Sequence, residues 1–397
     1  MKQIFPVLFG LLLSVQAGAQ PVRKKMPVKP ALPVTSVQIP ETATTSPQAM
    51  AAWLKTHTGS STALQQALYS WMAGNIAFDA ARMNEISNYR DTAAAIQQTL
   101  HTRKGLSTDF AVLYARVCRE AGINAVVVTG YTLQGDGMVP LGTHDWVAVK
   151  SGTQWTVTDP AWGAGTLENG RFVQHTDWKW FQMVPQVAVK THMPFDPLWQ
   201  LILFPLRHDE LGSRGFAAAA KRPVFSCADS LVAWSRQSRL ERLQHAAARI
   251  TQFGGAVNPF IMNELDWMQQ SIRVLASNQE IEMGNRQIDQ FNEVNRDYTE
   301  IAKLYNEYVT FRNRGFQPEI KDQVLRKMID EIAGRLTGAE KTLLGLEGSR
   351  EPVRQHVDEL LGVIRNMKEK VGGEQAFVSK YIKTVKAKRK DLFDEKS

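Results

Sequence analysis

Apolar positions change period along the chain, and the changes mark out its elements. From residue 46 to about 75, and again from 106 to 121, they fit helices that bury one face. Ser46-Pro47 has the form of an N-cap followed by proline at the first helical position. Helices are expected at 47–57 and 61–75, separated by Gly59, with Trp53, Leu54, Leu64, Leu68, Trp71 and Met72 on a packed face. A further helix is expected from 106 to 121, stopped by Gly122. The period then falls to two. "NAVVVTGY" (124–131), "HDWVAVK" (144–150) and "QWTVTD" (154–159) read as strands between glycine-rich turns. Helices first and an antiparallel meander second predict an α+β domain. Residues 160–225 carry neither period and read as loops over the sheet, with a short helix near 197–203.

From about 228 the helical period returns and runs to the end. Ile288, Phe291, Val294, Tyr298, Ile301, Tyr305 and Tyr308 form a seam for packing on other helices, inside the chain or on a partner. Glycine and proline at 315–318, 345–348 and 372–373 predict breaks, hence helices near 319–344, 351–371 and 374–391. A helical bundle or a bent coiled-coil hairpin fits that pattern.

The strand pattern brings candidate chemistry together. If Ser151-Gly152 form the turn between the second and third strands, His144 lies opposite Asp159. If the turn is Gly152-Thr153, Asp159 falls diagonal to His144, still close. Either register puts a carboxylate beside an imidazole, where it fixes the ring's orientation and stabilises its charged form. The helix start at Ser107 is the third piece. Gly105 permits a tight entry, and a helix N-terminus offers free N–H groups and the positive end of a dipole. Such a position lowers a thiol pKa and can bind an oxyanion.

The order Ser107, His144, Asp159 resembles the transglutaminase-like superfamily, a papain-like fold that includes protease-like microbial members. The resemblance rests on "RKGLSTDFAVLYARVCREAGI" (103–123), "GTHDWVAVK" (142–150) and "WTVTDPAWGAG" (155–165), supported by "WMAGNIAFD" (71–79) and "HMPFDPLWQLILFPL" (192–206). It implies an antiparallel sheet packed on the helix that carries the nucleophile, with His144 and Asp159 completing a triad and Trp162 and Gly105 lining the substrate cleft. The family pattern has Cys where this chain has Ser107, and Thr where it has Ala161. Neither thiol replaces the missing one. Cys118 is three turns along the same helix, about 16 Å away, and Cys227 lies outside the domain. A hydroxyl gains far less than a thiol from this setting, so loss of catalysis is expected; a working peptidase or acyltransferase with a Ser107-His144-Asp159 triad is the alternative, and a purely structural role through the C-terminal helices is a third.

Composition alters the picture at the ends. Lys2, an apolar run from Ile4 to Val15 and Ala17-Gly18-Ala19 have the form of a signal peptide over 1–19, which predicts export to the periplasm or outside the cell. Five prolines make 20–45 a linker, and the expected layout is then a domain at 46–206, a connection at 207–227 and a helical domain at 228–397. No transmembrane span is expected. The net charge of +8 is dispersed, with basic clusters at 23–25 and 380–390, and carries no nucleic-acid motif. There is no P-loop, GxGxxG, HxxxH or CxxC, so no cofactor or metal is expected. The expected partner is a peptide, a glycopeptide or a protein of the cell envelope, with homo-oligomerisation through the C-terminal helices also open. Two cysteines make no disulfide framework; Cys118, in an apolar helical run, suits a buried free thiol.

Overall fold

A computed structural model describes residues 38–83, 92–133, 142–210, 213–253 and 258–393. The signal-peptide stretch, the linker up to residue 37 and the basic cluster at 23–25 lie outside the described residues. The chain divides into two compact units between Met193 and Pro194.

The first unit begins with α1 (Pro47–His57) and α2 (Ser61–Asn75). Each is capped by a serine: Ser46 Oγ accepts from Ala49 N and Ser60 Oγ from Ala63 N, both at 3.1 Å. Then come β1 (Ala77–Phe78), α3 (Thr92–Thr102), β2 (Lys104–Gly105) and α4 (Ser107–Glu120). The strands β3 (Ala125–Thr132), β4 (His144–Ser151) and β5 (Gln154–Thr158) follow as expected. After them lie β6 (Gly165–Glu168), β7 (Arg171–Gln174), a short α5 (Pro185–Ala188) and β8 (His192–Pro194). The main sheet runs β5-β4-β3-β8, with β3, β4 and β5 antiparallel.

Alternation along β4 sends Val147 and Val149 into the core beside Phe110, Leu113, Tyr114 and Val117 of α4, which are fully buried with Leu68 and Met72 of α2. The sheet is therefore packed on the helix that Ser107 opens, the expected α+β arrangement. Four features went beyond the sequence pattern. The helix α3 and the β6–β7 hairpin carry no clear period. The packed chain starts before residue 46, because Ile39 and Ala43 join the core. The connection at 207–227 contains a helix, α6 (Ser213–Ala219). The domain boundary falls before the expected residue 206, because Asp196 is paired in bidentate fashion with Arg249 at 2.6 and 2.8 Å and Trp199 packs edge-on against Trp234, 5.1 Å between rings.

The second unit continues with α7 (Cys227–Arg236), α8 (Arg239–Phe253), α9 (Pro259–Asn313), α10 (Asp322–Leu344) and α11 (Val353–Lys383). The predicted seam is internal from Phe291 onward, with Val294, Ile301 and Tyr308 buried against Ile329, Leu336, Ile364 and Val378 of the two following helices, while Ile288 at its start is 42% exposed. The expected break at Gly372-Gly373 does not occur. Val371 and Val378 are almost completely buried on either side of it, and that packing outweighs the roughly 1 kcal/mol helix cost of each glycine. Cys118 and Cys227 are both free, buried thiols. No helix of the described residues is long and apolar enough to cross a membrane.

Candidate functional site

The turn between β4 and β5 is Gly152-Thr153, since Ser151 pairs with Gln154 and Gly152 takes φ +62°. This is the diagonal register. Val147 aligns with Thr158, so Asp159, just past the strand end, reaches His144 obliquely. The contact forms nonetheless, with His144 Nε2 2.7 Å from Asp159 Oδ2.

Asp159 is fully buried, and four hydrogen bonds hold its carboxylate. Oδ1 accepts from Ala161 N at 2.9 Å and Trp162 N at 3.0 Å; Oδ2 accepts from His144 and, at 3.0 Å, from Nε2 of His192 on β8. Sequence reasoning missed His192. It sits 33 residues after Asp159, across a segment without periodicity, and its own signal is only a histidine in a short apolar strand. Its Nδ1 lies 2.9 Å from Thr191 Oγ1. With Nε2–H given to Asp159 and Nδ1 accepting from the threonine hydroxyl, the neutral ring is satisfied at both nitrogens.

The three groups titrate apart. Burial favours protonation of Asp159, but the charges and N–H bonds of His144 and then His192 prevail and hold its pKa well below the carboxylate range. For His144, burial acts to lower the pKa, and the Asp159 carboxylate, with a smaller contribution from Asp145, overcomes it and raises the value. For His192 burial wins and the pKa is lowered, helped by the neighbouring His144 and Lys179. The ring that favours charge is thus the one whose side chain is still 12% exposed.

Aromatic groups wall the cluster. Trp162 lies 5.4 Å from the His144 ring and 5.0 Å from that of His192, and Trp180 crosses Trp162 at 4.6 Å. Trp162 therefore lies beside the His144 ring.

Ser107 is the first residue of α4 and is buried. Its hydroxyl does not bond the His144 ring; Oγ accepts from the backbone N–H of the next residue, Asp145, at 3.4 Å. Nδ1 of His144 has no hydrogen-bond partner among the described residues. Thr108 Oγ1 donates to Asp145 Oδ2, and Asp145 Oδ1 is buried with no partner among the described residues. Gly105 serves through closeness rather than turn geometry: a Cβ there would fall 2.5 Å from Asp109 Cβ. That contact keeps Asp109 over the helix start, where its Oδ2 accepts from Leu106 N at 2.7 Å. The remaining N–H groups of the first turn of α4 have no intrahelical acceptor and suit an oxyanion.

His144, Asp159 and His192 also bring one ligand atom each within 4.8 Å of one another. Both imidazoles direct Nε2 at the same carboxylate oxygen, the geometry of a hydrogen-bonded cluster, and an ion there would have to displace both N–H protons.

Residues 48–160 match the model of the transglutaminase-like superfamily. The kyphoscoliosis peptidase of Mus musculus is 27% identical over 149 residues and that of Homo sapiens 26% identical over 147, in each case 35% of this chain and 22% of the relative. The chain therefore spans about a fifth of the length of the curated relatives it matches. Among solved structures, the periplasmic domain of TgpA from Pseudomonas aeruginosa shares 26% identity over 32% of this chain and 45% of that one, with a TM-score of 0.25.

Proposed function

We propose, from the transglutaminase-like superfamily domain formed by residues 48–160, that this chain is an exported binding protein built on a silenced acyl-transfer site. Ser107 occupies the nucleophile position, and the cleft beside His144, Trp162 and Gly105 takes a peptide or glycopeptide of the cell envelope. The observation that carries this reading is the split between the two halves of the site. The His144–Asp159 pair is intact and held by four hydrogen bonds on the carboxylate, while the Ser107 hydroxyl is bonded to backbone and not to the imidazole.

The electrostatics point the same way. A raised His144 pKa favours an imidazolium, the partner of a thiolate. Binding draws on other groups: first-turn N–H groups of α4, which have no intrahelical acceptor, suit a carbonyl oxygen, and the aromatic wall of Trp162 and Trp180 suits an apolar face. A peptide or glycopeptide presents both.

The test compares the native protein with Ser107→Ala and Ser107→Cys, each incubated with envelope peptides and peptidoglycan fragments, with products read by mass spectrometry and retained ligands by pull-down. Turnover by Ser107→Cys alone, with ligand retained by all three, is the expected result. Turnover by the native protein that disappears in Ser107→Ala establishes a serine enzyme and overturns the proposal.

A further inference from the structure

His192 is a polar side chain in a slot suited to an apolar one. It is 2% exposed, and the rings of Trp146, Trp162 and Trp180 stand 5.0, 5.0 and 5.5 Å from its own. The strand that carries it has other anchors. Leu133 N donates to Thr191 O at 2.8 Å just before β8, and Met193 and Phe195 are buried just after. A methionine would fill the slot without the cost of desolvating an imidazole. What the histidine adds is one N–H directed at Asp159 Oδ2 from 3.0 Å, with Nδ1 settled on the Thr191 hydroxyl.

That N–H completes the carboxylate. An ionised carboxyl offers about four lone-pair sites, and four donors meet Asp159: Ala161 N and Trp162 N on Oδ1, His144 and His192 on Oδ2. The two rings therefore draw on one oxygen. Donors that share an acceptor are not independent, because each polarises the charge toward itself. A proton on His144 pulls the negative charge toward its own Nε2–H, and the His192 donor opposes that pull.

We infer that His192 is a positioning residue for His144: by occupying one side of Asp159 Oδ2 from β8, it limits how strongly the carboxylate retains the His144 proton. The other charged and titratable groups nearby act differently. Asp145 acts on His144 in the same sense as Asp159, and Lys179 acts on His192. The Tyr69 hydroxyl of α2 is kept protonated by burial and donates to Asp177 O. His192 acts on His144 whatever residue 107 does, so its failure would leave the proposed binding role standing.

Imidazole NMR tests this by comparing His192→Met with His192→Gln. Methionine fills the slot and removes the donor; glutamine returns an N–H to the place of Nε2. His192→Met should raise the His144 midpoint by about half a pH unit, a roughly threefold gain in proton affinity. His192→Gln should leave it at the native position, whereas a purely structural role would move both variants alike. The native chain supplies a second readout that needs no variant. As pH falls His144 charges before His192, since burial lowers the one and Asp159 raises the other. A charged His192 donates more strongly, so the His144 Nε2–H resonance should move upfield across the His192 titration. A His192→Met midpoint at or below the native one, equal midpoints in the two variants, or an Nε2–H resonance that stays fixed overturns the inference.

Discussion

Replacing Asp159 with alanine should loosen the strands around the site far more than any other single change there. The carboxylate is completely buried and accepts four hydrogen bonds, two from backbone N–H groups and two from imidazoles. Hydrogen bonds to a charged group contribute about 1.5–3 kcal/mol each, but the four share one acceptor and do not add. Breaking a buried pair costs about 3–5 kcal/mol, and that is the range expected for Asp159→Ala. Asparagine keeps an oxygen for Ala161 and Trp162 and loses the charge, so Asp159→Asn should cost less, about 1–3 kcal/mol. Hydrogen exchange read by mass spectrometry localises the effect. Peptides covering β4 and β5 should lose about a hundredfold or more in protection in the alanine variant, while peptides from α10 and α11 report an unchanged second core. The sign with pH is fixed by the depressed carboxyl. Its contribution is present above the unfolded carboxyl pKa and is lost as pH falls through the folded one. The gap between native and alanine proteins should therefore be full at neutral pH and close only in strong acid. A protection loss under about tenfold, or a gap that closes near the ordinary carboxyl pKa, would refute the idea that this carboxylate anchors the site.

Other outcomes follow from the same geometry. His192 has a lowered pKa, so its contribution is present above the ordinary histidine value and lost as pH falls toward the folded one. Thermal melts should show His192→Gln further below native at pH about 7 than at pH about 5, and an equal gap at both would count against a buried neutral ring. His144 has the opposite sign: its raised pKa stabilises fully below the ordinary histidine value and less as pH rises through the folded one, a shift that imidazole NMR would read directly. Ser107→Cys should react with iodoacetamide along a pH profile whose midpoint lies below the ordinary thiol value of about 8.5. The background is low because burial pushes the Cys227 thiol up to about 11 and Cys118 further still; an ordinary midpoint would mean that α4 and His144 do not act on that position. Gly163→Ala should destabilise by about 1–3 kcal/mol in a urea titration, since its Cβ would fall 1.8 Å from the Tyr69 hydroxyl, which donates to Asp177 O at 2.6 Å.

What could be read in the chain depended on how far apart the deciding residues stand. Helices α1, α2 and α4 and strands β4 and β5 declare themselves through local period and capping. His144 and Asp159 are joined by one hairpin, so counting along two strands brings them together in either register. Residue Ser107 needed the family pattern as well, because only a fold places a helix start against a strand. His192 could not be found this way: it reaches Asp159 through β8, a three-residue strand at the edge of the sheet order, and nothing between 160 and 191 fixes where that strand docks. The unbroken α11 was hidden for a related reason. Glycine pairs predict breaks from local preference, while the packing that holds Val371 and Val378 comes from helices far away in sequence.

The cluster around Asp159 does not rely on Ser107 for its geometry. A catalytic pair that depended on its nucleophile would loosen once the nucleophile was gone. Here Asp159 is gripped from three directions that do not involve Ser107: its own following turn through Ala161 and Trp162, β4 through His144, and β8 through His192. The same bonds tie the end of β5 to β4 and to β8, so they serve the stability of the sheet. Selection on folding alone is then enough to keep His144 and Asp159 in place. The geometry of His144 and Asp159 is therefore held by bonds that do not depend on residue 107.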